Sequence, residues 1–199
     1  MAMLKISAGE KEEIYHKLTE RCKELFAEME EKGDAVKILI KLMDEAYISM
    51  HNPFHHFIVP ASLLTAVCMV KGSTGEELYQ LLKTAKERAD YIAGGFCADY
   101  GACGAGIGTG IFMSVYTDTT TMSEESWQWC NGITGAALRA ISEIPGPRCC
   151  KRTSFLAVRA AVCYIREKLQ LELKEPENIT CKYYQHNPEC KKELCPFYQ

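Results

Sequence analysis

The residues most able to do chemistry in this chain fall in two short blocks. Gly94 to Phe112, GGFCADYGACGAGIGTGIF, holds Cys97, Cys103 and seven glycines in 19 residues. Pro145 to Arg152, PGPRCCKR, holds the adjacent Cys149 and Cys150 among Arg148, Lys151 and Arg152. Thiolate is the form of cysteine that attacks electrophiles and binds metals, and nearby cations or a helix N-terminus favour it. Cys103 falls where a helix is expected to begin. Glycines 104, 106, 108 and 110 would each cost about 1 kcal/mol against alanine inside that helix. Accepting that cost beside two thiols points to a place where backbone approaches a bound group. The plainer alternatives are a tight glycine-rich helix contact for the first block and a basic surface loop for the second.

Neighbouring cysteines do not offer a relaxed disulfide geometry. Between Arg148 and Lys151 both thiols are expected to ionise readily. Thr153 is expected to cap the next helix, which puts Cys150 nearer its N-terminus. Cys150 is therefore read as a ligand and Cys149 as a reactive thiol or one that supports the ligands. Cys97, Cys103 and Cys150 would suit a [4Fe–4S] cluster with one open iron, and the backbone at Gly104 and Gly106 would offer N–H donors to its sulfides. Four thiolates could instead close a zinc site. The spacing is neither C-x2-C nor a ferredoxin run, so both metals stay open.

His51, His55 and His56 form a third group. Neutral imidazole serves as ligand or proton shuttle; His55 or His56 is the candidate general acid/base, and histidines meeting helix ends are the alternative. Near the C-terminus, Cys181-x8-Cys190-x4-Cys195 with His186 between them makes a permitted zinc set, around which a short tail would fold. The same tail could equally hold or cover a cluster together with a cysteine from the main body.

The elements that must position these groups read as helices almost throughout. Ser7 with Glu10 forms a capping-box signature, followed by Ile14, Leu18, Cys22, Leu25 and Met29 at helical spacing. A second helix is expected from Asp34 through Met50, apolar nearly all round and hence central. Pro60 fits the first turn of a third helix, and Ser73 or Thr74 begins a fourth. A fifth runs from about Gly104 to Tyr116, a sixth from Ser123, and a seventh from Thr153 to about Leu169. The expectation is an all-α domain of about seven helices over residues 1–174. A cysteine-rich tail at 175–199 is too small for its own core and needs a staple.

Composition bounds the rest. The 199 residues carry a net charge of −3, with 47% hydrophobic and 25% charged residues. These are ordinary values for a soluble globular protein and give no reason to expect nucleic acid or an anionic membrane as partner. No apolar run approaches the length of a membrane span, and the N-terminus lacks the apolar region of a secretory signal. A cytoplasmic setting follows as an expectation, and there thiols stay reduced. Of the eleven cysteines, Cys22, Cys68, Cys130 and Cys163 sit at apolar helical positions and read as small core hydrophobes.

The blocks HNPFHHFIVPA, FCADYGACGAGIGTGIF and GPRCCKRTSFLA, with the terminal C-x8-C-x4-CP, together resemble an uncharacterised cysteine-rich family of archaea and anaerobic bacteria. The resemblance runs from about Met50 to the end. That family occurs alone or fused to methyltransferase-like domains, and the resemblance implies anaerobic metabolism. YGACGAGIGTGI is also similar to the glycine–cysteine motif of iron–sulfur L-serine dehydratases and L-cysteine desulfidases. PRCCKRTSFLAVRAA is similar to their Pro-x-x-Cys-x-x-Arg block, with Cys150 and Lys151-Arg152 near their Cys and Arg. Their Gly-Cys-Gln and Cys-Asp-Pro motifs have no counterpart here. This second likeness implies a [4Fe–4S] cluster whose open iron binds a small-molecule substrate. The expected function is an iron–sulfur enzyme of sulfur metabolism acting on a small sulfur-containing or hydroxy/thiol compound. The alternative is a zinc- or cluster-binding accessory module that docks to a methyltransferase or redox partner protein.

Overall fold

A single helix buried along nearly its whole length, α3 (His55–Lys71), organises the fold. The computed structural model describes residues 6–199; residues 1–5, where the stretch inspected for a leader begins, lie outside the described residues. Around α3 pack α1 (Ala8–Glu28), α2 (Ala35–Met43), α4 (Gly75–Asp90), α6 (Gly104–Tyr116) and α8 (Cys150–Leu169). The one-turn α5 (Phe96–Asp99) leads into α6, and α7 (Glu125–Ser142) lies against α6 and α8. The described residues are thus all-helical, with eight helices rather than seven, the addition being α5 inside the glycine-rich block. Among the described residues no helix is long and apolar enough to cross a membrane.

Local chemistry sets most helix starts. Ser7 and Glu10 satisfy each other's backbone groups at α1, and Thr74 and Glu77 do so at α4, as capping boxes do. Asp34 accepts from Lys37 N at α2. At α8 the cap is Cys149, whose sulfur accepts from Arg152 N at 3.5 Å. Thr153, expected as the cap, lies inside the helix with its hydroxyl on Cys150 O.

The second helix is shorter than its apolar pattern predicts, ending at Met43 rather than Met50. Long-range capping stops it. Lys151 Nζ, from α8, donates to Met43 O at 2.8 Å, and Tyr183 Oη and Lys182 Nζ reach the Asp44 carboxylate at 2.7 and 2.5 Å. A cation at a helix C-terminus meets the negative end of the dipole. Residues 44–54 are thereby freed to form the turn that carries His51 and Asn52. The central place expected for α2 belongs to α3. That helix starts at His55, five residues before Pro60, which sits inside it.

The glycines of α6 answer to packing on two sides. A Cβ at Gly104 would meet the His56 ring at 2.2 Å, and one at Gly108 would meet Pro60 Cδ at 2.9 Å and His56 O at 3.1 Å. On the opposite side, Gly106 faces Leu138 at 2.6 Å and Gly110 faces Thr134 Oγ1 at 2.1 Å. The stripe thus lets α6 approach both α3 and α7 closely.

The tail is not held apart from this core. Leu173, Tyr183, Cys195 and Phe197 are buried in the same apolar cluster as the helices, and Phe197 packs on Phe155 of α8 at 5.2 Å between ring centroids. Cys181 N donates to Phe197 O at 2.7 Å and closes the tail on itself. Of the four cysteines assigned to apolar faces, Cys22 and Cys68 are buried, Cys130 is half-buried and Cys163 is exposed on α8.

The close approach of α6 yields a paired test. Gly108→Ala should destabilise the fold by about 1–2 kcal/mol, since its methyl meets backbone and a proline ring that cannot yield. Gly135→Ala, on an exposed position of α7 with nothing within 4 Å, should stabilise it by about 0.5–1 kcal/mol. Urea denaturation midpoints of both variants check the pair; a tolerated Gly108→Ala would contradict the packing account.

Candidate functional site

Three of the four main-body cysteines meet at one cavity. Cys97 comes from α5, Cys103 precedes the first residue of α6, and Cys150 is the first residue of α8. They line a cleft of about 480 Å³ with His55, His56 and Arg148. Gly104 and Ala105 also stand on its wall. No side chain caps α6, so its first N–H groups lack a side-chain acceptor, and the positive end of the helix dipole lies at this wall of the cleft. Arg148 is exposed at the rim and makes no ion pair among the described residues.

The two histidines are held alike. His55 Nδ1 lies 3.1 Å from Asn52 O and 3.0 Å from Asn52 Oδ1. His56 Nδ1 lies 3.1 Å from Ile92 O. Acceptors at Nδ1 fix the proton there and leave Nε2 as the lone-pair nitrogen. His55 Nε2 is buried with no hydrogen-bond partner among the described residues. An unpaired buried polar atom costs about 1–3 kcal/mol, so this nitrogen is poised for a proton or a ligand. Burial, with Lys151 nearby, pushes the His55 pKa well below the usual histidine value; burial lowers His56 and His51 too. All three are neutral bases at pH 7.

The cysteines depart from the expected thiolates. Burial pushes Cys150 up to about 12, with the neighbouring Cys103 and Cys149 sulfurs adding to it, and Cys149 is raised as well. Desolvation outweighs the flanking cations. Lys151 explains much of this. It turns away from the cleft, is buried against Met43 O and the Tyr183 ring, and is itself lowered to about 8 by burial. Without a bound electrophile or metal these thiols are protonated.

Cys149 is not in the cleft. It lies on the far side of the α8 N-terminus, where it shares a second, small cavity of about 20 Å³ with Cys181, Cys190 and Cys195. His186, assigned to the tail set by spacing, is exposed on a different surface cavity with Lys151 and Tyr183. Gly106 points to Leu138 rather than to the cleft, so helix packing accounts for it. Among the described residues no three His, Cys, Asp or Glu side chains are drawn together closely enough to hold a metal ion as they stand.

Asn52 and Asn187 escaped the sequence reading, and Arg152, named there only as a flanking cation and as a neighbour of the Arg in the similar block, has a further place. Arg152 stands between the two cavities and lines both; its Nη2 donates to Pro147 O at 3.1 Å and shapes the loop before α8. Asn52 orients His55, and its backbone also meets the Cys150 thiol. Asn187 donates to Cys149 Sγ at 3.6 Å. A signal was present: the tripeptide His-Asn-Pro occurs twice, at 51–53 and 186–188, and each copy places its asparagine beside one of the adjacent cysteines.

The buried neutral histidines set a pH dependence. Their folded pKa values lie below the unfolded one, so the unfolded chain binds more protons as pH falls, and stability present above pH 6.5 is lost below it. Each such histidine contributes a slope of up to about 1.4 kcal/mol per pH unit in that window. Denaturation at pH 7.5 and 5.5 should show the loss, and His55→Gln should reduce it. An unchanged slope in that variant would place the titration elsewhere.

A sequence model of a family described as "family of unknown function (DUF5714)" matches residues 22–198. Comparisons with curated proteins and with solved structures returned no match.

Proposed function

The chain belongs to the DUF5714 family, and from that premise we propose that it is an iron–sulfur enzyme acting on a small sulfur-containing or hydroxy/thiol compound. The observation that carries this reading is the convergence of Cys97, Cys103 and Cys150, from three separate elements, on one open cleft of about 480 Å³ beside His55 and His56. Three thiolates from the chain are a donor set for a [4Fe–4S] cluster with one iron left for substrate. Cys97 and Cys103 are half-buried and their sulfurs make no hydrogen bond among the described residues, so both are free to rotate toward a cluster. The uncapped start of α6, with Gly104 bare of side chain, supplies N–H donors suited to an anionic group. A bound cluster would supply a Lewis-acid iron.

The chain's own residues supply the rest. The neutral His55 Nε2 takes a proton from the substrate, and Asn52 holds the ring in the tautomer that permits it. His56, fixed on Ile92 O, is the second base in reach of the same cleft. Arg148 at the rim offers a guanidinium for a substrate carboxylate. An open cleft favours a substrate over a closed accessory module, for which nothing of the cleft's size would be required. The likeness to iron–sulfur dehydratases and desulfidases supports the choice of small thiol or hydroxy compounds. A setting in anaerobic sulfur metabolism belongs to the same proposal.

Protein purified without oxygen should be brown and contain iron and labile sulfide in near-equal amounts. Cys97→Ser, Cys103→Ser and Cys150→Ser should each lose most of that colour. Colourless protein after reconstitution with iron and sulfide would contradict the proposal.

A further inference from the structure

Besides the three cysteines of the cleft and the four on helix faces, the remaining four of the eleven share one cavity. Cys149 precedes α8, while Cys181, Cys190 and Cys195 come from the tail, and all four line a space of about 20 Å³. A water-sized sphere needs roughly 10–15 Å³ by this measure. As the side chains stand, the space has room for about one water-sized body, which suits a single ion. We infer that Cys149, Cys181, Cys190 and Cys195 form a structural zinc site that fastens the tail to the N-terminus of α8, separate from the cleft.

The surroundings are built for thiolate sulfur. Cys149 Sγ accepts from Arg152 N at 3.5 Å and from Asn187 Nδ2 at 3.6 Å, and Cys190 Sγ accepts from Lys192 N at 3.4 Å. Such N–H donors offset thiolate charge and orient ligands. Arg152 and Lys191 also line the space. Zinc with four thiolates carries a net charge of −2, so two cations in the wall bring the balance near zero. Arg152 Nε is buried and has no hydrogen-bond partner among the described residues; a thiolate sulfur would supply one. The sulfurs are not yet gathered into a metal cage. On this inference zinc binding would draw the four sulfurs to about 2.3 Å from a common centre, the closed form of a structural zinc site.

The site also answers a question of folding. Residues 175–199 hold only two 3-10 turns, Tyr184–His186 and Lys192–Leu194. Their side chains nonetheless enter the main core through Tyr183, Cys195 and Phe197. A four-thiolate ion joins that segment to α8 at the residue that caps it. His186, exposed and outside the cavity, has no part in it.

The full chain, purified under reducing conditions, would be titrated with zinc and with cobalt as a spectroscopic substitute. The expected result is one ion bound with the intense visible absorption of tetrahedral, all-thiolate cobalt. Cys149→Ser and Cys195→Ser should weaken zinc by more than about tenfold, the scale of loss when even an outer partner of a ligand is removed. Cys150→Ser and His186→Ala should leave it unchanged. Because the ligand variants can fail to fold, the unmodified chain gives a second reading. A chelator should expose Cys149, Cys181, Cys190 and Cys195 together to alkylation, while Cys97 and Cys103 label to the same extent with or without it. Loss of zinc in His186→Ala, full retention in Cys149→Ser, or a disulfide among the four in the reduced chain would overturn the inference.

Discussion

The peptide joining Cys149 to Cys150 is the constraint on which the rest depends. Cys149 is extended, with φ −140° and ψ 104°, while Cys150 is already helical. The change of conformation at that one link sends two adjacent thiols to opposite sides of the α8 N-terminus. One faces the histidine cleft and the other faces the tail. The Cys149 sulfur holds the arrangement by capping α8 through Arg152 N, and the Arg152 guanidinium returns to Pro147 O to brace the loop. A single arginine thus separates the two cavities and touches both.

The helices around this link are fixed by contacts that leave little freedom. Lys151, next in the chain, is drawn into the protein to cap α2, which anchors α8 and ends α2 where the His51–Asn52 turn must begin. Asn52 then locks His55 at the start of α3. The glycines of α6 let that helix lie against α3 and α7, with the His56 ring over Gly104. Cys103 reaches the cleft because this close approach brings the start of α6 beside the start of α3. Packing and site are the same feature here: the bare backbone that permits the crossing also forms part of the cleft wall.

Much of this was legible in the sequence wherever the signal is local. Ser7–Glu10 marks α1 because a capping box spans four residues, and the start of α4 was legible as Ser73 or Thr74, of which the structure uses Thr74. The bounds of α6 followed from its composition, and the blocks around Cys97, Cys103 and Cys150 stood out by residue type alone. What escaped is long-range. The cap on Met43 comes from a lysine 108 residues away, so the apolar run past it read as continuing helix. The flanking cations suggested thiolates at 149 and 150, but burial decides the protonation state, and burial cannot be read from neighbours in the chain. The four-cysteine grouping at the tail depends on which way Cys149 points, a matter of one backbone dihedral. Spacing offered His186 in its place because it lies between the tail cysteines, whereas the fold turns it to the surface.

The central claim is that the adjacent cysteines serve two different centres. Anomalous diffraction from crystals of the protein prepared without oxygen, collected at the iron and zinc absorption edges, tests it most directly. The account predicts an iron peak in the cleft beside Cys150 and a separate zinc peak beside Cys149, with Arg152 between them. One metal position within bonding reach of both Cys149 and Cys150 would contradict it.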